Sequence, residues 1–96
     1  MFSYRLTSRA NADLEEILVY IAGKNVDAAL SLDYRITQVF EMLTEHPKIG
    51  RDRTEIESGM RSFPEGSYII LYKLWANQVV IVRVLHAARD LDEIFS

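Results

Sequence analysis

Phe2, Tyr4 and Leu6 alternate with Ser3, Arg5 and Thr7, the period-two pattern of a strand buried on one side. The period then changes. Ala10, Leu14, Ile17, Leu18 and Ile21 recur at three- and four-residue spacing and predict an amphipathic helix, capped by Thr7 or Ser8 and closed by Gly23. Asp13, Glu15 and Glu16 are expected in its first turns, where carboxylates suit the positive end of the helix dipole. A second helix, opened by Asn25 or Asp27, places Ala29, Leu32, Ile36, Val39, Phe40 and Leu43 on one face until Pro47 stops it. At about 20 residues it spans roughly 30 Å. With a link of only a few residues, the two helices should form an antiparallel hairpin whose apolar stripes need a sheet to cover them.

Residues 48–58, KIGRDRTEIES, keep neither period and read as an exposed connection broken by Gly50. Strand signals resume at Met60 to Phe63, Tyr68 to Trp75 and Val79 to Leu85. Phe63-Pro64-Glu65-Gly66 suits a type I turn, and Ala76-Asn77 is the remaining place for a second reversal. The fold class is therefore α+β: an N-terminal strand, a helical hairpin, a three-stranded antiparallel meander and a short C-terminal segment. In the last strand Val80, Val82, Val84 and His86 share one face, and Val79, Ile81, Arg83 and Leu85 the other. Burying a guanidinium under two helices is costly, so the valine face is expected to meet the helices. The Arg83 face, with Ile69, Leu71 and Trp75 beside it, is then the open one.

The 96 residues suit a single domain over 1–96, with 49% hydrophobic and 26% charged residues, as in an ordinary folded chain. The absence of cysteine excludes disulfides and thiolate metal sites. The N-terminus lacks the apolar stretch of a signal peptide, and Lys73 and Arg83 interrupt the longest aliphatic runs, so a cytoplasmic protein without a membrane segment is expected. The net charge of −3 argues against sequence-specific nucleic-acid binding, but the charge is uneven. Residues 1–47 carry 4 basic and 7 acidic groups, residues 48–89 carry 7 basic and 4 acidic, and the tail adds three carboxylates. Eight of the 11 cations are arginine, the side chain suited to bidentate binding of carboxylates and phosphates.

Together with this element order, the words EHPKIGR, MRSFPEGSYIILY and IVRVLHAARDL resemble the RelE/ParE superfamily of bacterial toxins, the ParE branch best. The resemblance runs from YRLTSRANADLEEI to Arg89 and Asp90, essentially the whole chain. It implies a toxin neutralised by a ParD-like antitoxin and, as in characterised ParE toxins, a block on DNA gyrase. The other branch cleaves ribosome-bound mRNA and needs proton-transfer groups and cations for it. Where those nucleases are expected to carry an arginine and a C-terminal tyrosine, this chain holds Ile69 and Phe95, and only Arg89 matches. A third reading is a non-toxic relative that only binds the antitoxin.

Arg61, Trp75, Arg83 and Arg89 are candidates for antitoxin or target binding, tryptophan because it dominates interface energetics. Arg89 has a structural alternative, pairing with Asp90, Asp92 or Glu93. His86 is the one imidazole near the arginines and the only candidate for catalysis, although it lacks an evident proton-transfer partner. His46 suits a helix C-terminus. Tyr20, Tyr68 and Tyr72 are expected in the core with hydroxyls at the surface. No metal and no cofactor are expected.

Overall fold

The computed structural model describes residues 2–90 and runs β1 (Ser3–Leu6), α1 (Ser8–Ala22), α2 (Val26–Glu45), β2 (Arg51–Asp52), β3 (Arg61–Glu65), β4 (Tyr68–Trp75) and β5 (Gln78–His86). The expected α+β architecture forms. Phe95 and the tail carboxylates Asp92 and Glu93, on which part of the sequence reading rests, lie outside the described residues.

Thr7 both ends β1 and begins α1. Its hydroxyl accepts from the Ala10 N–H at 3.1 Å as an N-cap and donates to the Val82 carbonyl at 3.0 Å, fastening the helix start to β5. Asn25 caps α2 in the same way, accepting from Ala28 N–H at 3.0 Å. The first turn of α1 holds no acidic residue, so Asp13, Glu15 and Glu16 do not serve the dipole as expected. All six apolar positions expected on α2 are buried, and Leu32, Ile36, Val39, Phe40 and Leu43 pack with Ala10 and Ile17 of α1 against one face of the sheet.

The sheet has the order β1-β5-β4-β3-β2, with β1 parallel to β5 and the other neighbours antiparallel. Strands β4 and β5 supply Ile70, Tyr72, Val79, Ile81 and Val84 to the helix-covered core. The expected faces of β5 need correction. Tyr72 stands opposite Ile81 but Leu71 stands opposite Arg83, so Val82 is an extra residue in a bulge. A bulge changes the parity of the side-chain alternation. Val79 and Ile81, expected on the open face, lie fully buried against the helices, while Val82 packs on the other side with Met60, Leu71 and Leu85. That second face is not open along its length either, because Ile56 and Met60 from the connection before β3 cover Leu71 and Leu85.

The connection also contains β2, two residues paired with Arg61 and Ser62, which the sequence pattern did not announce. The first hairpin turns at Gly66–Ser67, not at Phe63–Gly66: Pro64 pairs with Ile69 and Glu65 with Tyr68, and Gly66 takes a φ of +56°. Proline is tolerated in β3 because β2 reaches no further than Ser62, which leaves the outer side of Pro64 as sheet edge. The second hairpin reverses through Ala76 and Asn77, with φ of 50° and 61°, the signature of a type I′ turn. Asparagine accepts this left-handed conformation more readily than alanine. Ala76→Asn should therefore stabilise the domain by about 0.5 kcal/mol, read as a higher urea midpoint at unchanged slope; a lower midpoint would contradict the turn geometry.

Candidate functional site

The structure does not bring the four candidate binding residues into one site. Arg61 lies on β3, where its Nη1 donates to the carbonyls of Lys48 at 3.1 Å and Gly50 at 2.9 Å. Beside it the Tyr72 hydroxyl accepts from Gly50 N–H at 2.9 Å and donates to the Pro47 carbonyl at 2.8 Å. Burial pushes the Tyr72 phenol above its ordinary value, even though the Gly50 N–H works the other way. The Tyr72 hydroxyl therefore ends inside the protein, not at the surface as expected. Together the two side chains fasten the bend between α2 and β2. His46 is the C-cap of α2 in that bend, as its position suggested.

Arg83 reaches α1. The bulge sets it where β1 has already ended, and its guanidinium grips Asp13 with Nε to Oδ2 at 2.7 Å and Nη2 to Oδ1 at 3.1 Å. The same carboxylate accepts from Val84 N–H at 3.1 Å, and Arg9 stands 3.8 Å from it. Asp90 serves β5 in a similar way, accepting from His86 N–H at 2.9 Å and pairing with Arg89 at 3.2 Å. Burial would raise the Asp90 carboxyl, but these two donors hold it below its ordinary value. Arg83 and Arg89 share a cleft of about 600 Å³ between α1 and the end of β5, walled also by Arg9, Asp13 and Glu16. An adjoining cleft of about 320 Å³ holds His86, Tyr68 and Tyr20, with Glu16 and Arg89 common to both.

His86 packs edge-on to Tyr68 at 5.4 Å between ring centres, and its buried Nδ1 has no hydrogen-bond partner among the described residues. The described residues contain no group of acidic or imidazole side chains able to hold a metal ion, and no helix long and apolar enough to cross a membrane.

The outer side of the helical hairpin carries what the sequence reading missed. Val19 and Tyr20 on α1 and Val26, Leu30 and Tyr34 on α2 are each 60 to 66% exposed. Tyr20, expected in the core, is among them, with Lys24 Nζ 4.7 Å from its ring centre and donating to its hydroxyl. The signal was present in α2: Val26, Leu30 and Tyr34 repeat every fourth residue, a second apolar stripe beside the buried one. Trp75, 72% exposed, stands at the tip of the second hairpin, on β4 and away from this stripe.

The chain is similar to known proteins over nearly all of its length. The family model of the ParE toxin of the type II toxin–antitoxin system parDE matches residues 4–91. Toxin ParE1 of Caulobacter vibrioides is 34% identical over 91 residues, covering 94% of each chain. Toxin ParE3 of the same organism is 33% identical over 88% of this chain and 86% of its own. Toxin ParE1 of Mycobacterium tuberculosis is 32% identical over 93% of each. A solved chain of the chromosomal ParDE TA system from P. aeruginosa shares the fold, with a TM-score of 0.76 over 90% of this chain and 96% of that one at 20% identity. A family match across nearly all of the chain, with end-to-end relatives above 30% identity, means that this chain belongs to the ParE toxin family of type II toxin–antitoxin systems.

Proposed function

We propose that this chain acts in the cytoplasm as the toxin of a two-component module, inhibiting DNA gyrase by binding and held inactive by a ParD-like antitoxin. The observation that carries the reading is the apolar stripe on the helical hairpin. Five large side chains exposed on one helical layer suit an amphipathic antitoxin segment that folds as it docks. Action by binding is supported by where the cations are spent. Arg61 holds backbone carbonyls and Arg83 is gripped by Asp13, so both have a task in the fold, while Arg89 pairs at the surface with the adjacent Asp90. Ile69, opposite Leu85 in the sheet, offers no proton-transfer group at the place where a nuclease would want one.

The purified protein should inhibit gyrase supercoiling and leave ribosome-bound mRNA intact. Codon-dependent cuts in a translating extract would overturn the reading. One observation favours the nuclease alternative, the buried Nδ1 of His86 beside Tyr68 and Arg89. His86→Ala is expected to keep full toxicity, measured as growth arrest on induction without the antitoxin; abolished toxicity in a folded, antitoxin-binding variant would favour cleavage.

A further inference from the structure

The register aligns two rows of side chains across three strands on the face of the sheet away from the helices. Arg5 of β1, Val80 of β5 and Lys73 of β4 form one row, and Ser3, Gln78 and Trp75 form the next, at the hairpin tip. Their neighbours Tyr4, Val79 and Leu74 pack in the helix-covered core, so these rows point the other way. From the connection that covers Leu71 and Leu85 on this face, Glu57 reaches Lys73 at 2.8 Å, and Val80 between Arg5 and Lys73 is buried. Exposed on these rows are an indole at 72% and Arg5, whose Nε donates to a neutral Gln78, and beside them is a half-buried lysine that holds a carboxylate.

We propose that this end of the sheet is the surface that engages the toxin's target, and that it fits an acidic protein surface. Trp75 would enter an apolar pocket of the target while carboxylates of the target meet Arg5 and Lys73. Three points support this choice of occupant. An exposed tryptophan at the end of a strand, with Arg5 and Lys73 in the adjacent row, has the make-up of an interface hot spot. Glu57 shows that Lys73 takes a carboxylate in this geometry, and a second carboxylate could replace or join it. The net charge of −3 disfavours a nucleic-acid backbone as the alternative. The rows also lie on the opposite layer from the Val26, Leu30 and Tyr34 stripe, so antitoxin and target would use different faces of one two-layer domain. The inference rests on the reading of the chain as a toxin that acts by binding.

The test compares Trp75→Ala and Arg5→Glu with the parent chain in growth arrest, in inhibition of purified gyrase and in affinity for the cognate antitoxin. Each variant should lose toxicity, with gyrase inhibition weakened about tenfold or more, while antitoxin affinity stays within about twofold and the melting curve is unchanged. Undiminished toxicity in both variants would overturn the proposal, as would a loss of antitoxin affinity comparable to the loss of toxicity. Binding of a single-stranded oligonucleotide that disappears in Trp75→Ala would also overturn it, in favour of a nucleic-acid surface. If the parent arrests growth without inhibiting gyrase, the gyrase reading fails and the arrest assay alone judges the surface.

Discussion

Gly50→Ala is expected to lower the melting temperature by about 15 °C, corresponding to a loss of about 3 kcal/mol in a domain of this size. A Cβ at this position would stand 2.4 Å from the Tyr72 hydroxyl and 2.6 Å from its ring, far inside van der Waals contact. Neither side can yield cheaply. Tyr72 is fully buried on an inner strand, and its hydroxyl is held by both Gly50 and Pro47. Moving the ring would open a void in the core, and moving the bend would break the two Arg61 contacts to the carbonyls of Lys48 and Gly50. Tyr72→Phe is the control. It keeps the ring and removes the hydroxyl, leaving a buried N–H and a carbonyl without their partner, at a cost of about 1 to 3 kcal/mol. Thermal unfolding of the three proteins by circular dichroism checks both numbers. A Gly50→Ala variant melting within about 3 °C of the parent would mean that the backbone does not approach Tyr72 this closely.

Gly50 also shows where sequence reading stops. As a glycine in a stretch that keeps neither period it reads as a chain breaker, which it is, but its tight constraint comes from a tyrosine 22 residues away. No local pattern carries that contact. The helices, by contrast, were legible almost residue by residue, because a period of 3.6 is local and the six buried positions of α2 declare it. β5 falls between these cases. Its existence and extent follow from Val79 to Leu85, yet the bulge at Val82 is invisible in a run where every residue is a good strand former. One uncounted residue was enough to send Val79 and Ile81 to the wrong face. It also changes what stands together on the face away from the helices: Trp75 shares it with Arg5 and Lys73 instead of with Arg83.

Arg83 stays out of the helix-covered core, as its charge demands, but it is not on an open face: it reaches a carboxylate on α1. A guanidinium does avoid burial without compensation; the compensation lies 70 residues earlier, on α1. Asp13 was assigned to the helix dipole because local sequence offers carboxylates near an N-terminus that role. In the folded chain it is a bridge between layers. It closes a bidentate pair with Arg83 and satisfies the Val84 N–H at a stretch of β5 edge that β1 no longer covers. Asp90 gives the His86 N–H the same service two residues on. Two carboxylates thus stand in for the missing length of β1.

Removing the first of them should be costly. Asp13→Ala takes the carboxylate from a guanidinium whose side chain is only 25% exposed, and from a backbone donor on a central strand. Breaking a partly buried, hydrogen-bonded pair from one side costs about 3 kcal/mol, much more than an exposed surface pair is worth. Asp13→Asn separates the contributions: the amide oxygen can still accept from Val84 N–H, while the charge opposite Arg83 is lost. The asparagine variant should therefore fall between the parent and the alanine variant in urea denaturation. Added salt should narrow the gap between the parent and Asp13→Asn only slightly, since screening acts weakly on groups this far from solvent. If Asp13→Ala unfolds at the parent's urea midpoint, the bridge between α1 and β5 contributes nothing to stability, and the bulge must be held by packing alone.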